Sequence, residues 1–300
     1  MQHPRELLNA YVCGQNIISL LKDSFASDRN TEEMIELAYD LQTGSYIEAL
    51  NDPDVLKYNM QYGRAIAEEI LTLTAPSSIL EAGIGEGTTL KFVCDALSSA
   101  NPQAHGFDIS FSRIACCRDW LAATSSKNVF LSVASLFHLP YTDSCFDIVY
   151  TSHSIEPNGG HEKEILKELY RVASRYLILL EPGYELSSEK SQRRMREHGY
   201  CRDLVMHAGE LNMQVIRHEL FPSAINPLNP TAITVISKNP SAASAVPSLA
   251  CPRFGDPLMD YGDSLFSPDS LRAYPKILGI PCLRQQDGIV ASKYESYNSN

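Results

Sequence analysis

Apolar positions recur at helical spacing in the first quarter of the chain and fall into short strand-length runs after it. Over residues 5–24, Leu7, Leu8, Tyr11, Val12, Ile17, Ile18 and Leu21 follow the helical period and predict an opening helical stretch. A second helix is expected after Asn30, read as its cap with Glu33 three residues on, carrying Met34, Ile35, Leu37, Ala38 and Leu41. Residues 54–73 predict one more. From Ile79 the period alternates. Strands are expected at 79–81, at the run ending Phe107-Asp108-Ile109, at Val129–Val133, at 146–151 and at 176–180. Helices are expected between and after them, including Glu162–Val172, Glu189–His198 and 204–211. Residues 215–220 and 232–237 read as two closing strands separated by the proline-rich NPLNPT. This alternation predicts an α/β fold, a mostly parallel sheet with helices on both faces.

Residues 79–90, ILEAGIGEGTTL, join a strand, a glycine-rich turn and the start of a helix. Gly83, Gly85 and Gly87 let the backbone turn sharply and approach a ligand. Thr88 and Thr89 follow at the helix start, where free N–H groups suit an anion. The spacing departs from the dinucleotide fingerprint G-x-G-x-x-G: an acid stands two residues before the first glycine, and the glycines run G-x-G-x-G. A purely structural turn with two unrelated acids would have to explain why strand, turn, helix, strand and Asp108 come in that order.

The net charge of −11 works against an extended phosphate-binding surface. The run Arg193-Arg194-Met195-Arg196 is the one basic cluster, either a solvated helix face or a local patch. No apolar run approaches the ~20 residues of a membrane span. The opening MQHPRELLNAY has neither a basic nor an apolar signal region, so a cytoplasmic protein is expected. Eight cysteines form no C-x-x-C pair and are expected to be reduced and mostly buried; the adjacent pair Cys116-Cys117 is assigned no role.

The order acid-x-Gly-x-Gly-x-Gly, from Glu81 to Gly87, resembles motif I of the class I S-adenosylmethionine (SAM) methyltransferases, in which the loop wraps the methionine portion of the cofactor. The resemblance covers residues 58–237, with specific motifs at the glycine loop, at Asp108 and in the segment from Leu139-Pro140 to Phe146-Asp147. It implies a Rossmann-like seven-stranded sheet whose last two strands are an antiparallel pair. It also implies SAM as cofactor, held by Glu81, Gly83, Gly85, Gly87, Asp108, Ile109 and Thr151, with the Asp108 carboxylate on the ribose hydroxyls. The family commonly places an acid for the adenine amino group five residues before the proline. Here that position is Ser135, so a hydroxyl and the backbone of Ser135 and Leu136 are left for the ring.

Ligands of open α/β sheets bind at the carboxyl ends of strands, which puts the residues after the fourth strand near the transferable methyl group. His153 is the candidate general base or orienting group, and Glu156 the residue that orients it or the substrate. Alternatively His153 only packs against the cofactor and Glu156 caps a turn. Glu181 and Tyr184, after the fifth strand, are candidate substrate contacts. So is Tyr46, within residues 38–47, a segment that reads as a lid over the cleft or as plain helix packing. No metal site is expected.

The domains read as a helical cap or lid at 1–57, a SAM-binding domain at 58–238, a Ser/Ala linker at 239–247 and a small β-rich appendage at 248–300. The appendage resembles zinc-ribbon modules that read Cys-Pro-x-Cys, a hairpin, further cysteines, then Tyr-Pro and Gly-Ile-Pro. Cys251 stands, but Phe254 replaces its partner, Ser267 and Ser270 occupy the region of the second pair, and Cys282 falls outside the pattern. Four ligands are needed to close such a site. The ribbon shape is therefore expected without metal, with Phe254, Leu258, Leu265 and Phe266 as its core.

The expected activity is methyl transfer to an O or N atom of a small or medium-sized acceptor, a sugar or secondary metabolite. Two alternatives stand beside it. One is an RNA base methyltransferase, against which the charge and the missing metal ligands count. The other is a SAM-binding scaffold whose appendage docks a partner or a second copy.

Overall fold

The computed structural model describes residues 3–25, 29–124, 129–222 and 226–298. Its centre is a seven-stranded sheet built from β1 (Ser78–Ala82), β2 (Gln103–Asp108), β3 (Val129–Val133), β4 (Phe146–Ser152), β5 (Ala173–Pro182), β6 (Gln214–Leu220) and β7 (Thr231–Ser237), in the order β3-β2-β1-β4-β5-β7-β6. The first five strands run parallel, while β7 runs antiparallel to both β5 and β6. β1 and β7 are buried along their whole length, because helices cover both faces. The outer strand β6 has only exposed and half-buried positions instead.

The N-terminal part corrects the expectation of one opening helical stretch. It forms α1 (Pro4–Val12) and α2 (Ile17–Phe25), interrupted because the Asn16 side chain accepts the Ser19 N–H at 3.1 Å and starts a new helix. Next come α3 (Glu32–Asp40), the short α4 (Ser45–Ala49) and α5 (Pro53–Leu73). Thr31, not Asn30, caps α3, accepting the Met34 N–H. Asn30 instead donates to Pro157 O at 2.7 Å, tying the cap to the loop beyond β4. Asp52 caps α5 through the Asp54 N–H, with Pro53 in the first turn.

The remaining helices are α6 (Thr88–Ala96), α7 (Phe111–Ala123), α8 (Glu162–Val172), α9 (Glu189–His198) and α10 (Leu204–Glu210). Ile165, Leu166, Leu169 and Val172 of α8 are buried as their spacing required. No helix among the described residues is long and apolar enough to cross a membrane. Cys117, Cys145, Cys201, Cys251 and Cys282 are buried and free, whereas Cys13 is exposed.

The Ser/Ala stretch is held against the amino ends of the strands. Ala245 N–H donates to Asp147 at 2.8 Å, Ser78 Oγ to Ala245 O at 2.8 Å and Arg175 to Ala242 O at 2.6 Å. Beyond it, β8 (Met259–Asp260), β9 (Ser264–Ser267), β10 (Arg272–Ile277), β11 (Ile280–Pro281) and β12 (Ile289–Val290) make a small antiparallel sheet, followed by α11 (Tyr294–Asn298). This sheet meets the edge strand β3, where Leu283 N–H donates to Val133 O at 2.7 Å. Its core is Cys251, Leu265, Tyr274 and Leu283, with Leu258 half-buried against it and Phe266 buried nearby. Phe254 departs from the expectation: it is 58% exposed, its ring flanked by Arg253 and Arg272. Tyr274 fills the centre instead, its hydroxyl 3.2 Å from Cys251 Sγ.

Candidate active site

The carboxyl ends of β1, β2 and β4 open into a cavity of about 420 Å³ under the N-terminal helices. Its first wall is the glycine turn. Gly83 and Ile84 N–H both donate to Phe107 O at 2.9 Å, and Gly85 N–H donates to Asp108 Oδ2 at 2.9 Å, so the turn is pinned to the end of β2. Gly83 has φ +74°, and a Cβ there would lie 2.3 Å from Ser154 Cβ; only glycine lets the turn touch the β4 loop. Asp108 also accepts the Ser110 N–H on Oδ1 at 2.9 Å. Burial raises its pKa, with these backbone bonds and Arg113 opposing.

Glu81 lies at the cavity floor, 1% exposed, accepting the Tyr150 hydroxyl at 2.7 Å. Desolvation pushes its pKa up to about 8, partly offset by that hydrogen bond.

The second wall is the loop after β4. His153 sits there with φ +57°, a left-handed conformation uncommon for a non-glycine residue. Its Nδ1 is 2.5 Å from Glu156 Oε2 and its Nε2 2.8 Å from Thr231 Oγ1. A carboxylate only accepts, so Nδ1 carries the proton, and in neutral His153 Nε2 accepts from Thr231. Desolvation pulls the His153 pKa down, but the hydrogen bond and charge of Glu156 and the charge of Glu181 outweigh it, leaving the imidazole above its ordinary value. Desolvation also opposes ionisation of Glu156, yet His153, Tyr200 and Asn229 together hold its pKa below the ordinary value.

Glu181 does not line the cavity. It is buried beneath the loop, where its carboxylate accepts the N–H groups of Ser154, Ile155 and Glu156 at 3.0–3.1 Å. It shapes the loop from below; desolvation pushes its pKa up to about 7. Tyr184 also lies outside the cavity lining, its hydroxyl accepting from Arg196 Nη1 at 2.5 Å. Thr151 is buried within β4 and Gly87 starts α6 with φ +73°; neither lines the cavity.

The third wall follows β3, with Ala134, Leu136 and Phe137 facing the cavity. Ser135 stands behind them, its Oγ accepting the Phe137 N–H at 3.1 Å and donating to the carboxylate of Glu32. The cap thus brings an acid to the position where the loop has only a hydroxyl. Tyr46 lines the cavity and Ile109 lies beside Asp108. Residues 38–47 are tied to the start of α7: Asp40 accepts from Ser110 Oγ at 2.7 Å, Ser112 N at 3.1 Å and Ser112 Oγ at 2.9 Å.

Glu32, Tyr58, Tyr62, Glu86 and Arg113 line the cavity without having been singled out in the sequence. Tyr58 and Tyr62 carried a signal, one helical turn apart on α5 with rings stacked at 5.8 Å. Glu86, inside the glycine run, carried another. Glu32 and Arg113 carried none.

A family model described as a methyltransferase domain matches residues 79–175, from β1 into β5. Among solved structures, the chain is similar to a SAM-dependent methyltransferase from Aquifex aeolicus, at 17% identity over 64% of this chain and 96% of that one, TM-score 0.47. It is also similar to magnesium protoporphyrin IX methyltransferase from Synechocystis PCC 6803, at 14% identity, 61% and 84% coverage and TM-score 0.49. A third is geranyl diphosphate C-methyltransferase from Streptomyces coelicolor A3(2), at 11% identity, 58% and 77% coverage and TM-score 0.43. Residues 79–175, the part of the chain that this family model covers, are similar to a methyltransferase domain and lie on the sheet of order 3-2-1-4-5-7-6.

Proposed function

We propose that this protein methylates an O or N atom of a small or medium-sized acceptor, of the sugar or secondary-metabolite kind, bound under the lid. The observation that carries this reading is one cavity containing both the glycine turn with Asp108 and the His153–Glu156 pair. Its volume is in the range of small-molecule sites. Its walls carry the acidic side chains of Glu32, Glu86, Asp108 and Glu156 beside the carboxyl of Glu81 and a single guanidinium, a lining that disfavours an RNA phosphate backbone there.

The residues fit SAM. Asp108 keeps lone pairs free on both oxygens for ribose hydroxyls, Glu81 suits the α-ammonium, and Leu136 and Ile109 offer apolar contact to the adenine ring. The hydroxyl of Ser154, buried at the edge of the turn, has no hydrogen-bond partner among the described residues. When bound, SAM supplies an electrophilic methyl group on a sulfonium. The chain's part is to hold the acceptor in line, exclude water with the lid, and take a proton if the acceptor is a hydroxyl. For that proton, Nε2 of neutral His153 is the receiving atom, with Thr231 turning away and Glu156 steadying the imidazolium that forms. The C-terminal module fits a ribbon that has replaced its metal by the Tyr274-centred core.

Titration calorimetry with SAM, followed by a screen of acceptors for release of S-adenosylhomocysteine, tests the reading. Micromolar or tighter binding and turnover with a small acceptor are expected. No SAM binding at saturating concentration would sink it, and turnover on RNA alone would replace it with the nucleic-acid alternative.

A further inference from the structure

Arg113 is an arginine placed as a core residue. It sits on α7 just past Asp108 and is only 4% exposed. Its guanidinium carbon lies 4.8 Å from the ring centroids of both Tyr39 and Tyr46, the two tyrosines of the lid. Nε donates to Tyr39 O at 2.8 Å, whereas Nη2 is buried without a hydrogen-bond partner among the described residues. A buried charged donor left idle is costly, and native structures rarely keep one without a use.

The location says what the use is. Arg113 lines the cavity, and a Cβ on Gly85 would come 3.1 Å from its Nη1, so the guanidinium lies against the glycine turn. Five lining residues carry carboxyl side chains, and Arg113 is the only lysine or arginine among the described residues of the lining. SAM brings three charged groups: a sulfonium, an α-ammonium and an α-carboxylate. The acidic walls suit the first two. Only the carboxylate needs a cation, and a guanidinium offers planar paired donors that match it.

We propose that Arg113 is the receptor for the α-carboxylate of the cofactor's methionine portion, its guanidinium held against the glycine turn by Tyr39 and Tyr46. The inference rests on the cofactor reading above. The lid then acts twice, since the aromatic faces that close the cavity are those that orient the anion receptor. The same chemistry could serve a carboxylate on the acceptor, and the experiment separates the two sources.

Calorimetry on the parent protein, Arg113→Met and Arg113→Lys compares SAM with decarboxylated SAM, which keeps the sulfonium and the ammonium. The parent is expected to prefer SAM by roughly 10- to 100-fold. Arg113→Met loses that preference by weakening SAM alone, and Arg113→Lys recovers part of it. Equal weakening of both ligands, or of neither, overturns the proposal. A raised acceptor KM with unchanged SAM affinity also overturns it and moves the carboxylate to the acceptor. Should Arg113→Met fail to fold, Arg113→Lys carries the comparison: its ratio of affinities falls below the parent's, and an unchanged ratio overturns the proposal. A parent that binds neither ligand removes the methyltransferase reading itself, whereas a parent that binds SAM beside an unchanged Met variant removes only the role of Arg113.

Discussion

Glu86, in the glycine turn, accepts the backbone N–H of Gly44 at 2.8 Å, and its other oxygen takes the N–H of Ile47 at 2.8 Å. The five-residue helix α4 has no side-chain cap of its own, so the glycine turn caps it from 39 and 42 residues away. Replacing Glu86 with Ala should cost about 1 kcal/mol, the scale of a lost helix cap, and the loss should be local. Hydrogen exchange reads it: the amides of Gly44 and Ile47 speed up about fivefold, on the scale of that energy, while those of β1 and β4 do not. Unchanged exchange at both amides would mean the cap holds nothing.

Gly83 and Gly262 both have positive φ, +74° and +83°, but differ in what surrounds them. A Cβ on Gly83 meets Ser154 at 2.3 Å, while one on Gly262 meets nothing within 4 Å. Gly262→Ala should therefore cost only the conformational strain, about 1 kcal/mol. Gly83→Ala should cost more, about 2–4 kcal/mol once the clash is added, and should also abolish SAM binding by prising the turn from the β4 loop. Denaturant titration of the two variants side by side gives the difference. Equal costs would show that the turn and the loop can separate freely.

The pKa of Glu81, raised to about 8 by burial, makes a pH prediction. Between the ordinary carboxylate value of 4.5 and about 8, the native chain holds a proton that the unfolded chain has released. Stability contributed through this group therefore falls as pH rises through that window. Glu81→Gln removes the slope, so the parent should lose more stability than the variant between about pH 5 and 8. Denaturant unfolding at both pH values measures this. An identical slope in the two proteins would mean that Glu81 titrates normally.

The base role proposed for His153 makes turnover depend on pH through His153 and Glu156. The His153 pKa is raised, so the imidazolium persists to higher pH than for a free side chain, and a base role requires activity to rise as it deprotonates. The rising limb of kcat against pH should have its midpoint above the ordinary 6.5, and Glu156→Gln should move it down by removing the partner charge. His153→Ala should leave SAM affinity nearly intact and lower kcat ~10²-fold or more. Turnover indifferent to the His153 change would leave the residue a packing role only.

Much of this could be read along the chain. Glu162–Val172 and Glu189–His198 form where their period put them, and the glycine turn faces Asp108 as the order of elements required. These are local patterns, carried by neighbours a few residues apart. The misses share a different origin. Asn30 is a plausible cap by sequence, yet its amide is taken by Pro157, 127 residues away. Glu181 follows a strand at the right end of the sheet, yet its backbone partners in the β4 loop draw it below the cavity. Phe254 is apolar, yet the small C-terminal sheet centres on Tyr274 and leaves it outside.

By itself the sequence determined the succession of helices and strands, the bend at Gly83 to Gly87 and the acid at the end of β2, because periodicity and turn chemistry act over a few residues. Only the tertiary structure decided which charges share the cavity. Glu32 reaches Ser135 across 103 residues, Glu86 caps a helix that precedes it, and Arg113 is enclosed by Tyr39 and Tyr46. Each of those placements comes from packing the N-terminal helices over the sheet. It depends on long-range burial and on buried polar groups finding partners, which no local pattern encodes.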